Sequence, residues 1–317
     1  MIDSPLYCPP SFDLWQGRKD SHDSYQYLYQ IVKMLDLTQK IESTPKSVAL
    51  LGFACDEGVV RNQGRPGAKY GPSAIKRILA RLANHSSRNI YDAGEIKVDG
   101  DLLAAQKLLA KATEILLNLG MFPIILGGGH ETAWGHYLGI EKYLKKSPLD
   151  IINFDAHFDL REIASDKLGS SGTPFRQIAQ QRMQNKLQFD YHCVGIQKFS
   201  NTQVLFDSAK NLGVNYILAS EIHLHGSSVV EQFINEVIKK NTPIYLSICL
   251  DALSSCYCPG VSAPQVFGLT PMQILPVLLK LAACPNLVSV DIVELNPNFD
   301  VDNRTAQLAV QILALFL

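Results

Sequence analysis

Residues 149–161 read Leu-Asp-Ile-Ile-Asn-Phe-Asp-Ala-His-Phe-Asp-Leu-Arg, and no other stretch restricts the fold as tightly. Ile151, Ile152 and Phe154 call for a buried strand, after which Asp155, His157 and Asp159 take over at every second position. Side chains alternate along an extended chain, so these three leave on the same side. Two carboxylates and an imidazole meeting at the carboxyl end of a strand make a site for a hard cation. Taken alone, the run is explained equally well as a surface turn with incidental charges. The remainder of the chain decides between the two.

The pattern around it is regular. Short β-rich runs are expected at 47–53, 89–92, 122–126, 150–154, 191–195, 215–219, 243–249 and 287–291. Amphipathic helices are expected between them at 72–83, 102–119, 132–144, 174–186, 204–212, 228–239 and 271–283, with 304–317 closing the chain. Near-continuous apolar strands alternating with helices predict an α/β fold with a parallel sheet covered on both faces. Ligands of such sheets bind beyond the carboxyl ends of the strands. Residues 1–44 are expected to form an N-terminal arm packed on the main body. Within the arm, Tyr25, Leu28, Ile31, Val32 and Leu35 have the spacing of a helix over 24–37.

Composition narrows the function classes. With 317 residues, 47% of them hydrophobic, the chain can bury a large core, either as one α/β domain or as two domains. A net charge of −1 without a basic block favours neither nucleic acid nor an anionic membrane. The amino-terminal residues lack the basic and apolar regions of a signal peptide. The apolar run 308–317 is far short of the roughly 20 residues that span a bilayer. Seven scattered cysteines without a C-x-x-C pair point to neither a disulfide framework nor a zinc knuckle. Reduced thiols in the cytoplasm are the expectation.

Five clusters follow predicted strands. After 47–53 comes a glycine-rich loop containing Arg61, Asn62 and Arg65, whose donors suit a carboxylate. It is not a P-loop, and a purely structural loop with its arginines on backbone carbonyls is an equal reading. After 122–126 comes Gly127-Gly128-Gly129-His130-Glu131, where the glycines allow close approach and His130 stands where a ligand would. The stretch after 150–154 carries Arg161 beyond Asp159. Downstream of it lies a segment with Ser171 and Thr173, which either binds an anionic substrate end or caps the next helix. After 243–249, Cys249 and Asp251 project to one side. After 287–291, Glu294 is positioned to accept hydrogen bonds from an amidine-like group, or else forms a salt bridge.

Gly-Gly-Gly-His-Glu, Asp-Ala-His-x-Asp, a late Ser-x-x-x-Asp and Glu-x-Asn-Pro occur here in that order, and together they resemble the arginase/agmatinase (ureohydrolase) superfamily from about residue 47 onward. Within it, the loop from Asp56 to Ala68, the Ser-Ser-Gly-Thr-Pro-Phe segment and Cys258-Pro259-Gly260-Val261-Ser262-Ala263-Pro264 resemble the formimidoylglutamases of histidine degradation. The resemblance implies a single three-layer α/β/α catalytic domain over 45–317 around a mainly parallel eight-stranded sheet. It implies two Mn²⁺ ions, one held by His130, Asp155 and Asp159, the other by Asp155, His157 and Asp251. These ions would lower the pKa of a bridging water, whose hydroxide attacks the formimino carbon of N-formimino-L-glutamate to release L-glutamate and formamide. Asp155 or Asp159 would relay the proton and Glu294 would orient the formimino nitrogen. Arg161, Ser171, Thr173, Asn62 and Arg65 would hold the substrate, and oligomers are common in the superfamily.

Two departures from the arginases favour a glutamate-type substrate. Phe175 stands where arginases carry a histidine, and Arg161 where they carry a neutral asparagine. One departure cuts the other way, because Cys249 replaces an aspartate that bridges both metals. Thiolate favours softer metals than Mn²⁺. The alternatives are therefore a hydrolase of a guanidino compound such as guanidinobutyrate, agmatine or arginine, or a metal-poor regulatory homologue. Deacetylase-type chemistry fits the ligand spacing less well.

Overall fold

A computed structural model of the chain describes residues 1–18, 26–98, 100–165 and 168–317. Its strands are β1 (Tyr7–Cys8), β2 (Lys33–Met34), β3 (Val48–Ala54), β4 (Ile90–Lys97), β5 (Phe122–Gly127), β6 (Asp150–Phe154), β7 (Asp190–Ile196), β8 (Asn215–Leu218), β9 (Ile244–Cys249) and β10 (Leu287–Val293). They form one sheet in the order β1-β4-β3-β5-β10-β9-β6-β7-β8, with β2 also on β4. All pairings are parallel except β1 on β4. The expected eight strands are thus all present, and two short strands from the arm bring the sheet to ten.

Strand alternation sorts the core onto two faces. Leu50, Ile152, Phe154, Leu246 and Ile248 point toward helices Gly71–Leu79, Ser227–Lys239, Pro271–Ala282 and Arg304–Ala314. The neighbouring positions Ala49, Leu51, Ile151 and Tyr245 point the other way, toward helices Leu102–Asn118, Thr132–Tyr143 and Pro174–Gln184. Each fully buried Leu or Ile contributes roughly 1.5–3 kcal/mol, so this two-sided pattern specifies the sheet register firmly.

The helix expected over 24–37 is not the observed structure. Ser24 and Tyr25 lie outside the described residues, the helix spans only Leu28–Ile31, and Lys33 and Met34 pair with Tyr91 and Asp92 of β4. Leu28, Val32 and Leu35 are all buried, so a four-residue helix followed by an extended run reproduces helical spacing without a long helix. The arm is anchored electrostatically as well. Trp15 Nε1 donates to Asp92 Oδ2 at 2.7 Å, and Lys76 Nζ lies 2.6 Å from Asp92 Oδ1, with all three side chains buried.

The order β5-β10-β9-β6 at the centre of the sheet positions the site. The carboxyl ends of these adjacent strands deliver His130, Glu294, Cys249 and Asp155 to one place. At the end of β5 the chain passes so close to the β3 end that a Cβ on Gly128 would sit 1.7 Å from the Cys55 carbonyl oxygen. Only glycine fits there. Among the described residues no helix is long and apolar enough to cross a membrane.

Candidate active site

Asp155 leaves the end of β6 with its carboxylate at the middle of the cluster. Its Oδ2 is 3.0 Å from His130 Nδ1 and its Oδ1 is 3.5 Å from His157 Nδ1. Asp159 Oδ2 also stands 3.0 Å from His130 Nδ1, and Asp251 Oδ2 stands 3.1 Å from His157 Nδ1. Donor atoms of His130, Asp155 and Cys249, and separately of Asp155, His157 and Asp251, all lie within 4.8 Å of one another. Asp155 belongs to both groups, the place of a shared ligand. Cys249 Sγ donates to Asp251 Oδ1 at 2.9 Å.

The donor set fits a cation. His130 Nδ1 is buried without a hydrogen-bond partner although carboxylate oxygens crowd it from two sides. Its other ring nitrogen contacts Ser247 Oγ at 2.9 Å. Metal-binding histidines commonly hold the second nitrogen in this way. Imidazole and carboxylate ligands suit Mn²⁺ and similar ions.

The backbone at the site is held in uncommon conformations. Asp159 and Glu294 have φ of 51° and 71°, in the left-handed region, which costs an ordinary residue on the order of 1–3 kcal/mol. Glu294 is fixed there because its own N–H donates to Gly128 O at 2.7 Å and its Oε1 accepts from the His130 N–H at 2.8 Å.

Electrostatics divide the carboxyl groups. Burial works to raise Asp155, but the His130 and His157 imidazoles beside it prevail and hold it well below the usual carboxylate range. Asp159 is pushed up to about 6 by burial and by the Asp155 carboxylate. Glu294 is pushed well up by burial and by Glu131 and Asp251. Burial, with Asp155, Asp251 and Glu294 nearby, likewise raises the Cys249 thiol far above its ordinary value. Burial opposes charge on His130 and His157, yet the facing carboxylates raise both.

A cavity of about 290 Å³ opens over the cluster. Asn62, Arg65, Arg161 and Ser171 line it together with His157, Asp159 and Glu294. Asn62 Nδ2 donates to Ser171 Oγ at 3.1 Å. The Arg161 side chain is exposed, and its guanidinium has no partner among the described residues. Arg65 differs. Its Nε and Nη2 donate to the carbonyls of Ser262 and Val261 at 3.0 and 2.5 Å, and the guanidinium lies 3.9 Å over the Phe299 ring. The structural reading of this loop therefore holds for Arg65, and Arg61 Nε likewise donates to Gly169 O at 3.0 Å. Asn296 secures the same loop through Arg65 O and Pro66 O at 3.0 and 3.1 Å.

Thr173 is not brought to the cavity wall. Its hydroxyl contacts Ser170 O and Gln177 Oε1 at 3.0 and 3.1 Å at the start of helix Pro174–Gln184. Phe175 packs edge-on against His130 at 5.3 Å between ring centroids and stacks on Tyr191 at 4.3 Å. Sequence reasoning missed the supports behind the ligands. Asn153 Nδ2 donates to Asp155 Oδ2 at 3.0 Å and to Tyr191 Oη at 2.9 Å. The signal for it was a polar residue inside an otherwise apolar strand.

Known proteins share this sequence pattern and fold. The Arginase family profile matches residues 46–317. A formimidoylglutamase of Legionella pneumophila is 42% identical over 309 residues, covering 97% of this chain and 96% of its own length. A formimidoylglutamase of Geobacillus thermodenitrificans is 42% identical over 310 residues, covering 96% and 94%. The crystal structure of Trypanosoma cruzi formiminoglutamase with Mn²⁺ superposes with a TM-score of 0.77 at 27% identity, covering 86% of this chain and 92% of that one. Sequence match and fold agree over the same strands that carry the ligand cluster: the chain belongs to the arginase family.

Proposed function

We propose that the protein hydrolyses N-formimino-L-glutamate to L-glutamate and formamide at this site, with residues 45–317 as the catalytic unit. The observation that carries the reading is the pairing, in one cavity, of the ligand cluster around Asp155 with an exposed Arg161 guanidinium that has no partner among the described residues. Relatives 42% identical over nearly their whole length carry the name of this activity.

His130, Asp155, Asp159 and Cys249 would hold one Mn²⁺ and Asp155, His157 and Asp251 the second. A bound metal pair supplies a Lewis acid and lowers the pKa of water to near neutrality. The remaining chemistry belongs to the protein. Arg161 offers a planar, permanently charged fork that matches a substrate carboxylate. The Ser171 hydroxyl, whose oxygen accepts from Asn62, has its hydrogen available to the same end of the substrate. Glu294, held against the His130 N–H, presents its second oxygen to the formimino nitrogen. In the metal-free fold Asp155 stays ionised while Asp159 is pushed up to about 6; a bound ion would hold both as carboxylates. Arg65 shapes the wall instead of meeting the substrate.

A second reading is favoured by one observation. The Cys249 thiol is satisfied without a metal, through Asp251 Oδ1, and burial opposes its ionisation. A metal-poor regulatory homologue would look like this. Metal stoichiometry on protein purified reduced in Mn²⁺, with formamide release assayed on the same sample, separates the two. About two ions per chain with turnover supports the hydrolase. Neither metal nor turnover in excess Mn²⁺ overturns it. Release of urea from guanidinobutyrate in place of formamide would move the substrate to the guanidino class.

A further inference from the structure

Behind the ligand cluster, on the side away from the cavity, lies a polar group that the proposed reaction does not touch. Tyr245 and Ser247 precede Cys249 at two-residue spacing on β9, so all three project toward helix Thr132–Tyr143. On β10, Ser289 pairs in register with Tyr245 and Asp291 with Ser247. His136 enters from the helix. Tyr245, Ser247, Ser289, Asp291 and His136 are all 0% exposed. In such a dry layer every hydrogen must find an acceptor.

The hydrogens can be followed one at a time. Ser289 Oγ lies 2.7 Å from Pro123 O, and a carbonyl only accepts, so the hydroxyl hydrogen points there. The Ser289 oxygen therefore accepts from His136 Nε2 at 2.7 Å. The other nitrogen of that ring, Nδ1, stands 2.6 Å from Asp291 Oδ2, which also accepts from the Tyr245 hydroxyl. Either an imidazolium His136 donates from Nδ1 or Asp291 carries the proton on Oδ2; in both cases Oδ2 is taken up by His136 and Tyr245, and Oδ1 is left to accept from Ser247 Oγ at 2.6 Å. With its hydrogen directed to Asp291, the Ser247 oxygen is left to accept from His130 Nε2 at 2.9 Å. The direction runs one way, from His130 through Ser247 to Asp291. Reversed, Ser247 would donate to His130 Nε2 and move the ring hydrogen to Nδ1, against the metal.

We propose that His136, Asp291 and Ser247 form a positioning chain that fixes the His130 ring with a hydrogen on Nε2 and with Nδ1 turned toward Asp155 and Asp159, and so sets the metal affinity of the site. The effect on affinity rests on the metallohydrolase reading above; the direction of the hydrogen bonds does not.

Two measurements test it. In metal-free protein labelled with ¹⁵N-histidine, the His130 resonance, assigned by its loss in His130→Asn, is expected to show a hydrogen on Nε2 that exchanges slowly. In Ser247→Ala the exchange becomes fast. A bare Nε2 in the parent protein overturns the proposal and needs no variant to fold. In the second measurement, free Mn²⁺ is followed by electron paramagnetic resonance as each protein is titrated. Ser247→Ala is expected to bind Mn²⁺ about 10–100-fold more weakly, the range for losing a residue that orients a metal ligand. His136→Gln is expected to show a smaller loss in the same direction. A chain that matters only for packing would lower the melting temperature and leave the Mn²⁺ dissociation constant of the folded protein unchanged, and that result overturns the proposal. If the parent binds no Mn²⁺ while Nε2 holds its hydrogen, the metallohydrolase reading fails and the ring positioning stands.

Discussion

Strand β6 carries an aspartate at its first position and another just beyond its last, and the two have opposite fates. Asp150, at the amino end, is fully provided for. His192 Nε2 stands 2.8 Å and Lys240 Nζ 2.7 Å from its Oδ1, and Thr242 donates to its Oδ2. Asp155, at the carboxyl end, shares its surroundings with Asp159, Asp251 and Glu294, and the imidazole nitrogen between it and Asp159 has no hydrogen-bond partner. Both sites are buried combinations of aspartate and histidine. One is closed by its own donors, and the other aims ligand atoms from three strands at a common centre. The difference teaches that residue type alone does not mark a functional site; the unmet hydrogen-bonding capacity does.

Removing the open aspartate should have the largest effect on chemistry and the closed one the largest on stability. Asp155→Ala takes away the ligand common to both groups. Formamide release is expected to fall by at least about 1,000-fold, the scale of losing a main electrostatic element of a catalytic site, and Mn²⁺ binding should fall with it. Retention of both Mn²⁺ ions by Asp155→Ala would break the assignment.

Asp150→Asn makes the converse case. Removing the charge from a carboxylate that accepts from His192, Lys240 and Thr242 costs on the order of 1–2 kcal/mol, read as a lower denaturation midpoint, while turnover of the folded enzyme stays near that of the parent. The same carboxyl predicts a pH dependence. Burial works against its charge, but His192, Lys240 and Thr242 hold it down to about 2. A depressed folded-state pKa contributes stability that is fully present above the unfolded value near 4 and is lost as pH falls toward 2. Acid unfolding monitored between pH 5 and pH 2 should lose this contribution in the parent and show a shallower dependence in Asp150→Asn. Lys240 is 42% exposed, so salt will screen part of the effect.

What the sequence made legible follows the same division. Strand alternation and the ends of β5, β6, β9 and β10 were readable because apolar runs stop where polar residues with ligand chemistry begin. That His130, Asp155, His157, Asp159 and Asp251 form one cluster was implied by the resemblance to the ureohydrolases that the motif order carries. Three things were not readable. The arm's helical spacing concealed a strand, because pairing with β4 outweighed local periodicity. Arg65 and Arg161 are alike in sequence, and only the positions of the Val261 and Ser262 carbonyls separate the fixed cation from the available one. Ser247, Asp291 and His136 come from three elements, so their contact is a product of sheet order and helix packing.

The arginines offer the next test. Arg161→Ala is expected to raise KM for formiminoglutamate about 10–100-fold with kcat changed less, the signature of losing binding shared by ground and transition states. Arg65→Ala, which removes a loop support, should lower thermal stability more than it raises KM. An unchanged KM in Arg161→Ala would remove its carboxylate role.

Asp159 gives a smaller effect with an inverted sign. Its carboxyl, pushed up to about 6 by burial and by Asp155, is disfavoured in its ionised form in the metal-free fold. Stability of the metal-free protein should therefore fall as pH rises from about 4 through about 6. At pH 7, Asp159→Asn is expected to stabilise that protein by on the order of 2 kcal/mol while weakening Mn²⁺ binding. Calorimetry with and without Mn²⁺ reads both. The order of melting temperatures should reverse between the two conditions, since the ion supplies the positive charge that the protein omits.

Thr173→Val should change least, and that is its value. The hydroxyl contacts Ser170 and Gln177 behind the cavity wall, so its removal costs about 1 kcal/mol of stability and leaves KM within experimental scatter. Ser171→Ala, one position inside the wall, should raise KM several-fold at nearly constant stability. Two hydroxyls two residues apart thus repeat, at small scale, the contrast between Asp150 and Asp155. A rise in KM for Thr173→Val equal to that for Ser171→Ala would mean that the segment acts on substrate as a unit, and that hydrogen-bond satisfaction does not separate structure from function here.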